Sequence, residues 1–452
     1  MLSKEDNELI TRCGPGTPMG ELLRQYWIPA VRSDELPEAD CPPIRIRLLH
    51  EDLVAFRASS GNVGIVDDAC PHRGASMFYG RNEEEGLRCV YHGWKFDVSG
   101  QCVEMMNEPP TSAFPEKVKI RAYRTQERGG IVWAYMGPRE NPPPLPNLIP
   151  MQDGSGLPNV VLNQYNWLQA MENNMDTAHN PILHFGAVPP ELAEAVAAES
   201  YFGMTLDLTC MVENRAPVFE IREAEYGLTY GCSRPGPTEG TTYWRTMNWL
   251  WPFYTMTPTW EFGTRASVVI TVPVDEYHNM QWSMSIPLTE NAVNLAGAGR
   301  RQRVPNTTHP LGRFRNPLDP DTDFGIDRSI QRAKPPTLEG FTGLKDIGSQ
   351  DEAMKWSQGR GNGGIVDRSK ERLGTTDLMI IQARNRLIAA AKALSESGTT
   401  PPAVDTPEAY ALLSGWIVIP ADVDWYEGTR DLRENWRPNA DQKIAPMTQI
   451  GT

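Results

Sequence analysis

The sequence predicts an α+β protein, in which a small antiparallel β domain precedes a larger domain that mixes helices with antiparallel strands. Three observations carry this. Short alternating or apolar runs, separated by Gly, Asn and Asp turns, fill residues 44–136. A proline-dense stretch, Gly137-Pro-Arg-Glu-Asn-Pro-Pro-Pro-Leu-Pro146, cannot continue a sheet and marks a linker. Beyond it, strand-like runs alternate with a few apolar stripes at helical spacing. A chain of 452 residues is long enough for two or three domains, each with its own core.

The elements follow in order. Residues 1–30 read as a helical arm: Leu22, Leu23, Tyr26 and Trp27 lie at helical spacing after Thr17-Pro18, a cap followed by proline in the first turn, and Pro29 ends it. Residues 31–140 make the small β domain and residues 141–452 the larger one. There, Trp167–Asn180 carries the stripe Leu168, Met171, Met175, Ala178 and reads as a helix. Strand-like runs follow at Met204–Glu213, Pro217–Ile221, Leu228–Cys232, Tyr243–Leu250, Ser267–Val274 and Met280–Ile286. Thr289–Pro336 reads as a solvated loop with Arg300, Arg301, Arg303, Arg313 and Arg315. Two further helices are predicted near Asp351–Ser357 and Thr376–Ser395.

Charge excludes several functions. Lys and Arg total 43 against 57 Asp and Glu, a formal charge of −14, and no basic cluster offsets it, so nucleic acid is not an expected partner. No apolar run approaches the roughly 18 residues of a membrane helix, and residues 1–8 lack the apolar core of a secretory signal; a soluble, cytoplasmic protein is expected. Seven scattered Cys do not suggest a disulfide framework. Cys13, Cys41, Cys102, Cys210 and Cys232 read as small buried hydrophobes.

The other two Cys have a pattern. Cys70-Pro-His72 is followed, sixteen residues on, by Cys89-Val-Tyr-His92. Each arm offers one thiolate and one imidazole, the ligand set in which two His replace two Cys on one iron of a 2Fe–2S cluster. Gly74 and Gly93 would let the two loops close around it. The alternative is a structural Cys2His2 zinc site, although zinc knuckles usually pair Cys with Cys and His with His.

A second group is Asn173-Asn-Met-Asp176-Thr-Ala-His179-Asn-Pro-Ile-Leu-His184. Asn173, Asp176 and His179 share a helix face, and Pro181 would bend the chain so that His184 converges with His179. Two His and a later carboxylate make the facial triad of a non-haem Fe(II) oxygenase. Asp176 then suits a position behind a ligating ring. Asp351, at a predicted helix start, and Asp367, in Ile365-Val-Asp-Arg, compete for the carboxylate role, and spacing does not choose between them. Tyr243-Trp-Arg-Thr-Met-Asn-Trp-Leu-Trp-Pro-Phe-Tyr254 is an apolar strand in which Arg245 is either a carboxylate anchor or the partner of an internal acid.

The C-P-H-R-G and C-x-Y-H-G-W arms, the N-x-x-D-x-x-H-x4-H element and Gln350-Asp-Glu-Ala-Met354 together resemble the α subunit of a Rieske non-haem iron aromatic-ring oxygenase. Pro18-Met-Gly-Glu-Leu-Leu-Arg-Gln-Tyr-Trp27 and Asp367-Arg-Ser-Lys-Glu-Arg-Leu-Gly374 resemble its phthalate-dioxygenase-like branch, which includes O-demethylating and N-dealkylating monooxygenases. The resemblance implies a Rieske domain followed by a helix-grip catalytic domain with a curved antiparallel sheet. It implies Cys70, His72, Cys89 and His92 on the cluster, and His179, His184 and Asp351 on a mononuclear Fe(II). Asp176 would link His179 to His92 of a neighbouring subunit, and Asn173 and Arg245 would meet substrate. It further implies a head-to-tail homotrimer or stacked hexamer without β subunits. Electrons would come from NAD(P)H through a flavin reductase, a ferredoxin or both. The substrates would be O2 and a small aromatic compound, in the setting of aromatic catabolism. Phthalate-type members carry an Arg just after an A-P pair; here Val218 follows Ala216-Pro217, which speaks against a dicarboxylate and for monooxygenation (hydroxylation or dealkylation) of a more apolar aromatic substrate, over ring dioxygenation of an aromatic carboxylate. A Rieske-type electron carrier is the reading from another class, and it leaves the residues after the linker without a role.

Overall fold

The computed structural model describes residues 1–151, 157–186, 188–189, 191, 205–289, 311–332 and 340–435. Two helices open the chain, α1 (Lys4–Thr11) and α2 (Pro18–Leu23), each started by a hydroxyl cap. Ser3 Oγ accepts from the Asp6 amide at 2.9 Å and Thr17 Oγ1 from the Gly20 amide at 3.1 Å, satisfying N–H groups that the first turn leaves open. The helix expected to reach Trp27 stops at Leu23. Trp27–Arg32 is instead strand β1, because pairing along Ile131–Tyr135 outweighs local spacing. Pro29 sits on this edge strand where the register shifts, so its missing N–H breaks no ladder.

The small domain continues through β2 (Ile44–Leu48), β3 (Glu51–Arg57), β4 (Val63–Asp67), β5 (Arg81–Glu83), β6 (Gly86–Arg88), β7 (Trp94–Phe96), β8 (Cys102–Met105), β9 (Ala122–Arg128) and β10 (Ile131–Tyr135). These form a six-stranded sheet, β1-β10-β9-β4-β3-β2, and a four-stranded sheet, β5-β6-β7-β8, all antiparallel. Val54, Phe56, Val66, Met77, Leu87 and Phe96 pack between them.

The larger domain begins with β11 (Asn159–Asn163), α3 (Trp167–Met175) and α4 (Thr205–Glu213). Strands β12 (Val218–Ala224), β13 (Gly227–Pro235), β14 (Thr241–Leu250), β15 (Tyr254–Met256), β16 (Arg265–Pro273) and β17 (Asn279–Pro287) follow. Helices α5 (Ile347–Gln358) and α6 (Leu378–Ser397) and strand β18 (Gly415–Pro420) complete it. The strands form one antiparallel sheet, β11-β17-β16-β15-β14-β13-β12, with β18 added along β14. Trp249, Trp251 and Trp282 are fully buried in its core.

Three sequence expectations are corrected here. Met204–Glu213, read as a strand, is helix α4: Leu208, Met211 and Val212, at i, i+3 and i+4, pack on Phe185, and that pattern outweighs the local alternation. Helix α3 ends at Met175, before Asn180, because Asp176 Oδ1 takes the Ala178 amide at 2.7 Å and turns the chain. Of the arginine-rich loop, residues 300–303 lie outside the described residues. Arg313 is buried, donating to Glu35 and to the Ala30 carbonyl, so it joins the two domains rather than facing solvent.

The domains also meet at the turn after β2. His50 donates its amide to the Val274 carbonyl at 2.8 Å, and Arg47 pairs with Asp275 at 3.2 Å. No helix among the described residues is long and apolar enough to cross a membrane.

Candidate active site

Two loops at one end of the small domain carry Cys70, His72, Cys89 and His92, and they repeat one backbone pattern. The Cys70 carbonyl accepts from the Gly74 amide at 2.8 Å, and the Cys89 carbonyl from the Gly93 amide at 2.9 Å. The cysteine amides donate to Ala75 and Trp94 carbonyls, both at 2.8 Å. Each return is made by glycine in the left-handed region, Gly74 at φ 74° and Gly93 at φ 75°. The arms differ in what surrounds that glycine: a Cβ on Gly93 would meet Met106 at 2.7 Å, whereas one on Gly74 would meet nothing within 4 Å.

The loops bring the four side chains together. The His72 and His92 rings lie 4.4 Å apart, and His72 stacks on Trp94 at 4.4 Å. Trp94 is fixed in turn by its Nε1–H to Asn107 Oδ1 at 2.8 Å. Burial, with the neighbouring Cys89, pushes the Cys70 thiol up to about 11. His72 Nδ1 is buried with no hydrogen-bond partner among the described residues. A buried imidazole nitrogen with nothing to bond fits a metal-sulfur ligand set far better than packing. Arg88, the residue before Cys89, holds this arm by donating to the Gly93 carbonyl at 3.0 Å and to Glu83 and Glu104.

The second group is built where helix α3 stops. After Asp176 ends α3, residues Asn180–His184 form a single π-helical turn with Pro181 at its start. This wider turn places His179 and His184 with Nε2 atoms 3.1 Å apart. Asp351, near the start of α5, brings Oδ1 to 3.5 Å from His179 Nε2 and 3.4 Å from His184 Nε2. Three donors at these separations sit on one face of an ion about 2 Å from each, which suits iron or zinc. The group is the sole convergent set of His, Cys, Asp and Glu donors of this kind among the described residues. Asp367 is elsewhere, paired with Lys370 at 2.7 Å and accepting from Ser369.

Each imidazole is steadied from behind. His179 Nδ1 lies 3.2 Å from Asp176 Oδ2; burial works against charge on both groups, but their mutual attraction prevails, lowering the Asp176 pKa and raising that of His179. His184 Nδ1 donates to Gln350 Oε1 at 2.9 Å. Asn173, expected to meet substrate, donates to Asp351 Oδ1 at 3.4 Å. Arg245, for which the sequence left two roles open, donates to both Asp207 oxygens at 2.6 and 2.8 Å and is buried under α4.

A buried ion network fastens α3 from its other side. Glu172, next to Asn173, pairs with Arg368 at 2.8 Å and Arg384 at 2.6 Å, and Arg368 reaches Asn7 of α1 at 3.3 Å. Burial raises the Glu172 pKa, but the two guanidiniums outweigh it and hold the group ionised. Sequence reasoning assigned no role to Gln350, Glu172 or Arg368. The first lies beside Asp351 and the last in the Asp367–Gly374 motif, so adjacency was the available signal.

Comparison with known proteins decides the family. The Rieske [2Fe-2S] domain model matches residues 26–117, and the LigXa C-terminal domain-like model matches residues 134–446. The chain belongs to the Rieske non-haem iron oxygenases. The oxygenase is 38% identical over 442 residues to the 3-chlorobenzoate-3,4-dioxygenase oxygenase subunit of Comamonas testosteroni, covering 94% of this chain and 97% of the relative. It is 34% identical to the phthalate 4,5-dioxygenase oxygenase subunit of Pseudomonas putida, covering 94% of each. Over 260 residues, 56% of this chain and 57% of the relative, it is 38% identical to the 5,5'-dehydrodivanillate O-demethylase oxygenase subunit of a Sphingobium species. The terminal oxygenase of carbazole 1,9a-dioxygenase from Nocardioides aromaticivorans shares the fold, with a TM-score of 0.52 at 18% identity over 83% of this chain and 97% of that one. The oxygenase is therefore a phthalate-dioxygenase-like oxidoreductase with a Rieske 2Fe–2S cluster and a mononuclear iron, and neither the zinc-module nor the carrier reading is favoured.

Proposed function

We propose that Cys70, His72, Cys89 and His92 hold the cluster, that His179, His184 and Asp351 hold the iron, and that the oxygenase uses O2 and reductase-supplied electrons to oxidise a small aromatic acid. The convergence of His179, His184 and Asp351 on one point is the observation that carries this. The bound iron supplies O2 activation; the residues supply its placement. Asp176 and Gln350 fix the imidazole rings, Asn173 steadies the carboxylate, and Phe185, Leu208, Met211 and Val212 give an apolar wall beside His184.

An acid is favoured as substrate by unpaired donors. Two buried guanidiniums, Arg234 and Arg245, share one face of the β13–β14 pair, and Arg245 pairs there with Asp207. Arg234 Nη2 and Arg245 Nε have no hydrogen-bond partner among the described residues. Buried guanidinium N–H groups without partners are suited to donate to an anion. Val218 in place of a further arginine favours one acid group over two. The relatives divide over the product: the two that match nearly full length are named as dioxygenases, and a shorter match is named as an O-demethylase. Monooxygenation, by hydroxylation or dealkylation, is the reading that Val218 favours, and ring dihydroxylation is the reading that the longer matches favour.

Electrons arrive from NAD(P)H through a ferredoxin, a flavin reductase or both; an oxygenase–ferredoxin complex is described for carbazole 1,9a-dioxygenase. The oxygenase works in the cytoplasm as a homotrimer or stacked hexamer without a β subunit. Exposed Val90, Tyr91, Met106 and Phe114 lie near the cluster loops, and exposed Ile182, Phe341, Ile347 and Met354 lie on the segments that carry the iron ligands. Two unlike apolar patches on one chain suit head-to-tail assembly into a closed ring, with Asp176 passing electrons from His92 of a neighbour to His179. We place the arm before Trp27, the cluster domain up to residue 140 and the catalytic domain after it.

The test is turnover of substituted benzoates, methoxybenzoates and N-alkylated aromatic acids with a surrogate reductase. Formaldehyde with the dealkylated acid identifies the monooxygenase, a cis-dihydrodiol the dioxygenase, and uncoupled electron flow with every acid tried overturns the aromatic-acid reading.

A further inference from the structure

The two imidazoles beside Asp351 are steadied by different chemistry, and the difference assigns a role to a residue outside the ligand set. His179 has a carboxylate behind it, whereas His184 has the neutral amide of Gln350. An amide can turn over and present N–H₂ in place of C=O, in which case it would oppose the Nδ1–H of His184 and favour the wrong tautomer. In this fold it is prevented from doing so. Gln350 Nε2 donates to the Leu344 carbonyl at 3.2 Å and to Thr342 Oγ1 at 3.3 Å. A backbone carbonyl accepts only, so the N–H₂ end is committed to that side and Oε1 to His184. Thr342 Oγ1 itself accepts the Leu344 amide at 3.1 Å, which closes the loop on itself. Gln350 and His184 are both buried, so water does not compete for these bonds.

We infer that Gln350 is the positioning residue of the iron centre: locked by Leu344 and Thr342, it holds the proton of His184 on Nδ1 and keeps the Nε2 lone pair directed at the metal. Gln350 touches neither metal nor substrate in this role. Its neutrality also has a consequence, since it orients the ring without adding a second anion to the one that Asp176 contributes. The inference rests on the reading of His179, His184 and Asp351 as the iron ligands.

The experiment is Fe(II) titration of purified enzyme stripped of mononuclear iron with the cluster intact, read from the electron paramagnetic resonance signal of the nitric oxide adduct. Gln350→Met, which keeps the volume and removes the acceptor, is expected to weaken Fe(II) binding by about 10- to 100-fold, with the cluster signal unchanged. Gln350→Glu, which keeps an acceptor oxygen, is expected to recover most of that loss. Fe(II) binding by Gln350→Met equal to that of the wild type overturns the inference, even if the melting temperature falls, because a merely structural role moves stability alone. Should Gln350→Met fail to fold, Thr342→Val carries the test: weaker Fe(II) binding supports the lock and unchanged binding overturns it. His184→Ala is the control for the underlying reading. Iron retained by His184→Ala refutes the ligand assignment, whereas iron lost there but kept by Gln350→Met refutes only the role of Gln350.

Discussion

The two metal centres are built by opposite means. Around the cluster, backbone does the positioning: cysteine carbonyls and amides close each loop, and glycines at positive φ make the return. Around the iron, side chains do it: Asp176, Gln350 and Asn173 each hold one ligand, and Glu172 anchors the helix beneath. The proposed cluster ligands lie within residues 70–92, while the proposed iron ligands run from residue 179 to residue 351. A local site can be shaped by turns, whereas a site assembled from distant segments has to be fixed by contacts between them.

The largest effect should come from removing a ligand, and it should break one centre only. His184→Ala is expected to abolish mononuclear iron and turnover while the cluster spectrum persists, and His72→Ala to remove the cluster while iron still binds. Loss of both centres in either variant would refute their independence. Next is the side-chain scaffold. Glu172→Ala leaves Arg368 and Arg384 buried without their shared anion, and about 3–5 kcal/mol of stability is expected to go, measurable by denaturant unfolding. A loss below about 1 kcal/mol would mean that the network is dispensable.

Asp176→Asn comes third. Turnover is expected to fall by about 10- to 100-fold with the iron and cluster contents unchanged, because the carboxylate behind His179 is lost. Full turnover in this variant would count against both its steadying role and electron transfer through it. The smallest effect separates the two cluster arms. Gly74→Ala should cost about 1–2 kcal/mol for its left-handed backbone alone, while Gly93→Ala adds the encounter with Met106. Equal losses of cluster stability in the two variants would show that Met106 yields freely.

This contrast explains what was legible in the sequence. The cluster motif could be read because backbone-built sites have fixed local spacing, and the geometry brings Cys70, His72, Cys89 and His92 together. His179 and His184 were legible for the same reason. The choice of Asp351 over Asp367 needed the resemblance, since no local rule links a residue at 351 to one at 184. Gln350 and Glu172 were not legible as functional, because nothing in a single Gln or Glu tells whether a distant His or Arg will face it. The fold shows the same division. The β13, β14, β16 and β17 runs were visible as alternation, but α4 carried enough alternation to imitate a strand, and β1 followed a helical stripe until Ile131–Tyr135 paired with it.

The bond between Asn7 and the carbonyl of Val366, together with Arg368 against Asn7, joins the first turns of the chain to a segment far along it. During synthesis, then, Asn7 cannot make these bonds until residues 366–368 have been made. At ribosomal rates, roughly ten seconds to a minute separate the emergence of His92 from that of Asp351. All four proposed cluster ligands therefore emerge well before the last of the proposed iron ligands. The residue set proposed for the cluster is thus complete in the growing chain before the set proposed for the iron.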